Sequence, residues 1–191
     1  MPIFLNSKDC QRFFKTMIYY QLEGPKPRFS LFTPTTGILD PNKKIVEIIC
    51  YCLMPNHFHL LLCQTRDEGI TEFLSKLSNS YTKYFNIKNN RAGHLLQGEF
   101  KAVHIETNEQ LIHLTRYVHL NPLVNFTTKD LNEYQWSSYP EYIDLTKSNV
   151  CYKTIILEQF GSLKEYQEFV LDQEDYGKKL EMIKHQLIED K

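Results

Sequence analysis

An excess of charge of either sign is missing from this 191-residue chain, in which 22 lysines and arginines face 23 aspartates and glutamates. The near-neutral net charge gives no overall positive field that would attract a nucleic acid, so any DNA binding would need a local patch of basic residues. The five cysteines are odd in number and three lie in apolar segments, which favours buried thiols in a reducing compartment over disulfides. Because neither a signal peptide nor a bilayer-spanning apolar run is visible, we expect a cytoplasmic protein without membrane contact.

The chain does contain the periodic patterns of an ordinary globular protein, with 42% hydrophobic and 24% charged residues. Apolar spacing predicts helices at residues 8–20, 69–86 and 109–119, and strands at 45–53, 57–63 and 98–106. The expected helix caps are Asn6 or Ser7, Thr71 and Asn108, and Pro122 is the expected stop of the third helix. The order helix, strand, strand, helix, strand, helix predicts a ferredoxin-like α+β fold without its first strand.

The sequence pattern changes after residue 125. Residues 130–142 look irregular, and short charge-rich helices are predicted at residues 152–160, 163–171 and 176–188. We therefore expect a main domain at residues 1–125 and a C-terminal extension at residues 126–191 that packs on it.

Two histidines lie on the predicted second strand. Because successive strand side chains point to opposite faces, His57 and His59 project to one face and Phe58 to the other. Two neighbouring imidazoles form half of a divalent metal site. A hydrogen-bonded histidine pair without a metal is the alternative, and the spacing alone favours that alternative.

The predicted third helix ends with a second pair of polar residues. Tyr117 and Asn121 are four residues apart, so they lie on one helical face. A phenol can be a covalent nucleophile, and an amide oxygen is a hard ligand suited to Mg²⁺ or Mn²⁺. If this helix lies against the histidine strand, Asn121 completes a three-ligand site and Tyr117 stands about one turn away. The alternatives are a packing tyrosine and a helix-terminating asparagine.

Three segments in this order carry a resemblance to a known family: MPNHFHLL at residues 54–61, GHLLQGEFK at 93–101 and RYVHLNP at 116–122. Together they resemble the single-tyrosine HUH transposases, most closely the branch called IS-200-like or REP-associated tyrosine transposases. The WSSY segment at residues 136–139 resembles the segment found after the tyrosine helix in that branch. The resemblance extends from residue 1 to about residue 169.

The resemblance implies an HUH domain that acts on single-stranded DNA, often beside a folded hairpin. It implies that His57, His59 and Asn121 bind a divalent metal, Mg²⁺ or Mn²⁺. Tyr117 would attack a DNA phosphate, giving a 5′-phosphotyrosine link and a free 3′-hydroxyl, and strand transfer would then rejoin DNA in transposition and recombination. A basic cleft with stacking aromatic side chains can hold unpaired bases. The candidate DNA contacts are Lys83, Lys88, Arg91, Lys101 and Arg116.

Departures from the family pattern leave other interpretations open. A first strand of the sheet is expected to be missing, and the resulting unpaired edge favours a homodimer. Glu99 stands where the family more often has a basic residue. A catalytically inactive, domesticated protein that binds hairpin or single-stranded DNA is one alternative, and a hydrolase that uses the histidine pair with water is another. Tyr81 and Tyr84 are fallback nucleophiles, and structural or surface roles are expected for His94, His104, His113, His119 and His185.

Overall fold

The computed structural model describes residues 1–24, 26, 28–32, 40, 42–96 and 102–174. Two strands, β1 (Val46–Met54) and β2 (His57–Gln64), form an antiparallel sheet. The helices are α1 (Ser7–Gln21), α2 (Gly69–Lys88), α3 (Asn108–Val124), α4 (Tyr139–Tyr142), α5 (Thr154–Leu157) and α6 (Leu163–Leu171). The protein therefore has the predicted α+β fold of ferredoxin-like type. Among the described residues, no helix is both long and apolar enough to cross a membrane.

One compact unit consists of Met1–Ile48, Pro55–His57 and Leu62–Val103, and α1 packs on α2 within it. The side chain of Asn6 caps α1 by accepting hydrogen bonds from two backbone amides of the first turn, as the sequence predicts. Tyr81 of α2 is fully buried, with its ring centroid 5.1 Å from that of Phe13 and 5.4 Å from that of Phe4. Its hydroxyl donates to the Ile3 carbonyl at 2.6 Å. Aromatic packing and one buried hydrogen bond thus join the helices to the chain start.

Asp9 places a fully buried carboxylate near the start of α1. It accepts hydrogen bonds from the Leu5 amide at 3.0 Å, from the Tyr84 hydroxyl at 2.9 Å and from the Lys88 ammonium group. Burial raises the pKa of Asp9, but the hydrogen bonds from Lys88, Tyr84 and Leu5 outweigh it and leave the pKa below its ordinary value. The carboxylate therefore ties the last turns of α2 to the first turn of α1.

The second compact unit consists of Ile49–Met54, Phe58–Leu61 and His104–Lys191, of which the structure describes residues up to 174. In this unit, residues 136–138 lie beside β1. The Leu53 amide donates to the Trp136 carbonyl at 2.8 Å, and the Ser138 amide donates to the Tyr51 carbonyl at 3.0 Å. One edge of β1 is therefore hydrogen-bonded to residues 136–138, which belong to the region that the sequence predicts to be irregular.

His119 connects α3 to two other parts of this unit. Its Nδ1 lies 2.7 Å from the Tyr166 hydroxyl on α6, and its Nε2 lies 2.8 Å from Ser138 Oγ. The side chain is completely buried, and burial lowers the pKa of His119 to about 3. The imidazole is therefore neutral, and the expected structural role of His119 agrees with its position.

Several predicted boundaries were wrong. The second helix begins at Gly69, after Glu68 in the left-handed region at φ 58°, so Thr71 is inside the helix and is not its cap. The third helix is capped by Thr107, whose hydroxyl accepts from the Gln110 amide, and Asn108 is its first residue. The helix continues through Pro122 to Val124. Proline cannot donate the backbone hydrogen bond of a helix, but the burial of Leu120 and Leu123 beside it offsets that loss.

The predicted strand at residues 98–106 is only partly within the described residues. Residues 97–101 lie outside them, and residues 102–106 form no strand, because alternation by itself does not supply a pairing partner. The helix predicted at 163–171 is confirmed, the one at 152–160 shrinks to α5, and the one at 176–188 lies outside the described residues. The division of the chain at residue 125 stays a prediction.

Candidate active site

The β-hairpin places two histidines at the start of β2. His57 and His59 are half-buried and share one face of the strand because they are two residues apart. His57 Nδ1 lies 2.7 Å from the Oδ1 of Asn56 in the turn. Since an amide oxygen only accepts hydrogen bonds, this contact is satisfied by the tautomer that carries its proton on Nδ1 and has Nε2 as the acceptor nitrogen. This tautomer is the one in which a histidine coordinates a metal through Nε2.

Helix α3 presents Tyr117 on its exposed side. The side of the helix that faces the core carries Leu111, Thr115 and Val118, each less than a tenth exposed, whereas Tyr117 is 55% exposed. Large apolar or aromatic side chains are commonly buried, so an aromatic residue with this exposure on an otherwise well-packed helix is notable. More than half of the surface of Tyr117 is therefore open to solvent.

Tyr117 lies against one of the two histidines. The ring centroids of His59 and Tyr117 are 5.3 Å apart and the ring planes meet at 80°, an edge-to-face arrangement within the second compact unit. His57, by contrast, falls in the first unit, two residues earlier on the same strand. The structure thus brings the tyrosine together with His59 across about sixty residues of sequence.

Asn121 lies one turn after Tyr117 and is 5% exposed. The Nδ2 group of Asn125 donates to both its Oδ1 and its backbone oxygen, each at 3.0 Å. An amide oxygen has two lone pairs, so Asn121 Oδ1 can accept a second partner or bind a cation while keeping this hydrogen bond. Asn125 therefore fixes the orientation of the Asn121 amide.

The two fallback tyrosines have different surroundings. Tyr81 is fully buried, and Tyr84 donates its hydroxyl to Asp9. Burial, first of all, raises the pKa of both phenols, and the Asp9 charge adds to the effect. Neither phenol has the exposure of Tyr117, and the roles of all three tyrosines stay predictions.

Of the five candidate DNA contacts, Lys83, Lys88 and Arg91 lie on or just after α2, and Arg116 lies on α3. Lys83 is exposed on α2, while Lys88, also on α2, is paired with Asp9. Arg91 donates to the Asn86 side chain and the His94 carbonyl. Arg116 of α3 stacks on the Phe169 ring at 4.3 Å and donates to the Phe169 carbonyl at 3.3 Å. Lys101 lies outside the described residues, and the DNA-binding roles of all five stay predictions.

Sequence reasoning did not single out Asn56 and Asn125. The available signal was their spacing, because Asn56 directly precedes His57 and Asn125 follows Asn121 by one helical turn. Within the described ranges, no group of three or more His, Cys, Asp or Glu side chains is arranged to hold a metal ion.

The comparisons with known proteins give one finding for this chain. Residues 41–121, somewhat less than half of the chain, match a family model described as "Transposase IS200 like". The match spans the hairpin with both histidines, α2, and α3 as far as Asn121. Neither the comparison with curated proteins nor the comparison with solved structures gave a match. Residues 41–121 of this protein are therefore similar to the IS200-like transposases.

Proposed function

We propose that this transposase-like protein is a metal-dependent endonuclease and strand transferase for single-stranded or hairpin-containing DNA. Tyr117 is the nucleophile, and His57, His59 and Asn121 are the residues that would hold a divalent cation, Mg²⁺ or Mn²⁺. The family match supports the class of protein. The observation that carries the finer proposal is the edge-to-face contact of the exposed Tyr117 with His59.

The donor set is compatible with such a cation. The Asn56 contact selects the His57 tautomer whose Nε2 is basic, and Asn125 orients the Asn121 amide without using both of its oxygen lone pairs. Two imidazole nitrogens and one amide oxygen suit a borderline or hard divalent metal that completes its shell with phosphate oxygens and water. When bound, the cation would withdraw charge from a DNA phosphate.

The reaction that we propose conserves phosphoester bonds. The Tyr117 oxygen attacks the phosphorus, the phenol loses its proton, and the bond from phosphorus to the 3′-oxygen breaks. The departing 3′-oxygen takes up a proton and becomes a hydroxyl, while the 5′-phosphate stays on the tyrosine. Attack by a 3′-hydroxyl on this ester reverses the sequence and rejoins DNA. Since one phosphoester replaces another at each step, no nucleoside triphosphate is consumed.

The test incubates purified protein with Mn²⁺ or Mg²⁺ and a library of hairpin-flanked single strands with randomised arms, labelled at the 3′ end. We expect a labelled protein–DNA adduct on a denaturing gel with the native protein and none with Tyr117→Phe, because the phosphotyrosine link requires the phenol oxygen. The matched control is Tyr152→Phe, which removes the hydroxyl of another exposed tyrosine (45% exposed) and should leave the adduct unchanged.

The possible results separate the competing functions. Full cleavage by the Tyr117→Phe variant would reject the assignment of the nucleophile. Cleaved DNA without a protein-linked product would favour a hydrolase that uses the histidine pair. DNA binding without any cleavage by the native protein would favour the inactive, DNA-binding alternative.

A further inference from the structure

A groove of about 680 Å³ lies along the surface where α1 meets α2, within the first compact unit. These helices carry none of the residues proposed for catalysis. The groove is lined mainly by basic, aromatic and aliphatic side chains, among them Arg12, Tyr20, Lys76, Lys83, Tyr84 and Ile87. Its chemistry is that of a surface for a polyanion that also has apolar parts.

Arg12 is the most unusual member of this groove. Its guanidinium carbon lies 3.9 Å from the ring centroid of Phe29 and 5.1 Å from that of Tyr84. The side chain is half-buried, and its Nε is buried without a hydrogen-bond partner among the residues that the structure describes. Burial lowers the pKa of Arg12, and within the described part of the chain no carboxylate forms an ion pair with it. A partly desolvated cation without a counter-ion is stabilised when an anion binds.

The charges around the groove do not cancel. Of the nearby carboxylates, Asp9 is paired with Lys88, and Glu72 is shared between Arg66 and Lys76. Lys83 forms no ion pair with any residue that the structure describes. The pKa of neighbouring Lys26 is lowered to about 8, first by burial and then by the charge of Lys76. Arg12 and Lys83 are therefore the two basic side chains of the groove that no carboxylate of the described residues neutralises.

The groove continues past its first hollow. A second hollow shares Lys83 and Ile87 with the first and extends to Asn90 and Arg91 beyond the end of α2. Ile87 stands between the two hollows and is 70% exposed. An elongated cationic surface with an exposed aliphatic side chain and a nearby tyrosine fits a chain of phosphates and rings better than a single small anion.

We propose that the α1–α2 groove binds the phosphodiester backbone of single-stranded DNA, with Arg12 and Lys83 contacting phosphates and with Tyr20 and Ile87 packing against bases or sugars. The choice of DNA over another polyanion rests on the proposed function. The groove is a DNA-holding surface on elements that carry none of the catalytic residues, so binding and chemistry can be altered separately.

The experiment measures binding of a fluorescent single strand by anisotropy over a range of salt concentrations, with native protein, Lys83→Gln, Arg12→Gln and the double variant. For single strands, the logarithm of the binding constant falls linearly with the logarithm of the salt concentration, with a slope of about 0.7 for each neutralised phosphate. The loss of one phosphate contact therefore weakens binding about fivefold at 0.1 M salt. We expect each single variant to bind about fivefold more weakly, and the double variant about 25-fold more weakly with a shallower slope. The matched control is Lys15→Gln, an exposed lysine on α1 outside the groove.

Three outcomes decide the proposal. Unchanged affinity in Lys83→Gln, an exposed position whose substitution does not disturb the core, would overturn it, as would an equal loss in Lys15→Gln. Competition by inorganic phosphate at the same phosphate concentration as the DNA would show a small-anion site and overturn the DNA assignment. The adduct assay on the same samples keeps the two proposals apart, since the Lys15→Gln control should form the Tyr117 adduct, the groove variants should need more DNA to form it, and Tyr117→Phe should bind DNA without forming it.

Discussion

Replacing Ser138 by alanine tests whether one hydroxyl holds several elements of the second compact unit together. Ser138 Oγ accepts a hydrogen bond from the Tyr51 amide of β1 at 3.0 Å and lies 2.8 Å from His119 Nε2 on α3. It also lies within donating distance, 3.2 Å, of the Tyr51 carbonyl. All three residues are buried, so no water can replace the hydroxyl without a cavity large enough to hold it.

The magnitude can be worked out from the groups that lose their partner. In the Ser138→Ala variant the Tyr51 amide and His119 Nε2 are left buried without this oxygen. The Tyr51 carbonyl keeps the Ser138 amide as its donor. The loss of a hydrogen bond from a buried group costs about 1–3 kcal/mol, so the loss of both hydrogen bonds should cost about 2–6 kcal/mol together. This is a large fraction of the roughly 5–15 kcal/mol by which a typical domain is stable.

Urea denaturation followed by circular dichroism measures the change as a shift of the unfolding midpoint at constant slope. The matched control is Ser137→Ala, since Ser137 is also buried but, among the described residues, its hydroxyl accepts only the Tyr139 amide, at 3.2 Å. That single hydrogen bond corresponds to about 1 kcal/mol. Equal losses in the two variants, or a loss below about 1 kcal/mol for Ser138→Ala, would refute the argument that Ser138 links β1 to α3.

Two further predictions concern the first compact unit. Asp9→Asn should lower the stability by about 2 kcal/mol because it removes a charged hydrogen-bond acceptor. Since the folded pKa of Asp9 is below its ordinary value of 3.8, this contribution is complete well above pH 3.8 and is lost as the pH falls through the folded pKa. The difference between native protein and variant should therefore shrink in acid, and a difference independent of pH would contradict this. Gly69→Ala would place a Cβ against the backbone carbonyl of Ile45, whereas Gly161→Ala meets only the flexible end of a glutamate side chain. We expect only the first change to lower the melting temperature, by an amount equivalent to about 1–3 kcal/mol.

The elements with strong local signals could be predicted from the sequence. Helix α1 has a capping asparagine and an apolar stripe, and β1 is a run of β-branched and apolar residues that the structure buries almost completely. The pairing of Tyr117 with the histidine strand could be stated only as a condition, because periodicity shows which residues share a helix face and not what that face meets. The ring contact with His59 supplies the missing distance.

The features that sequence reasoning missed depend on contacts between distant parts of the chain. Residues 136–138 give no alternating pattern, and their pairing with β1 depends on a partner more than eighty residues earlier. Pro122 is a valid helix-stop signal, but burial of Leu120 and Leu123 on either side maintains α3 through it. The second partner of His119, Tyr166, lies forty-seven residues later, and no local rule connects such positions.

The short segment at residues 136–138 has a practical consequence for shortening the chain. All the residues proposed for catalysis precede residue 126, so a fragment that ends at residue 125 would contain them. Such a fragment would nevertheless leave the Leu53 amide and the Tyr51 carbonyl without their backbone partners, and a bare strand border recruits other strands. We therefore expect the shortened protein to aggregate or to self-associate through β1, and the smallest well-behaved version of this protein should extend at least through α6.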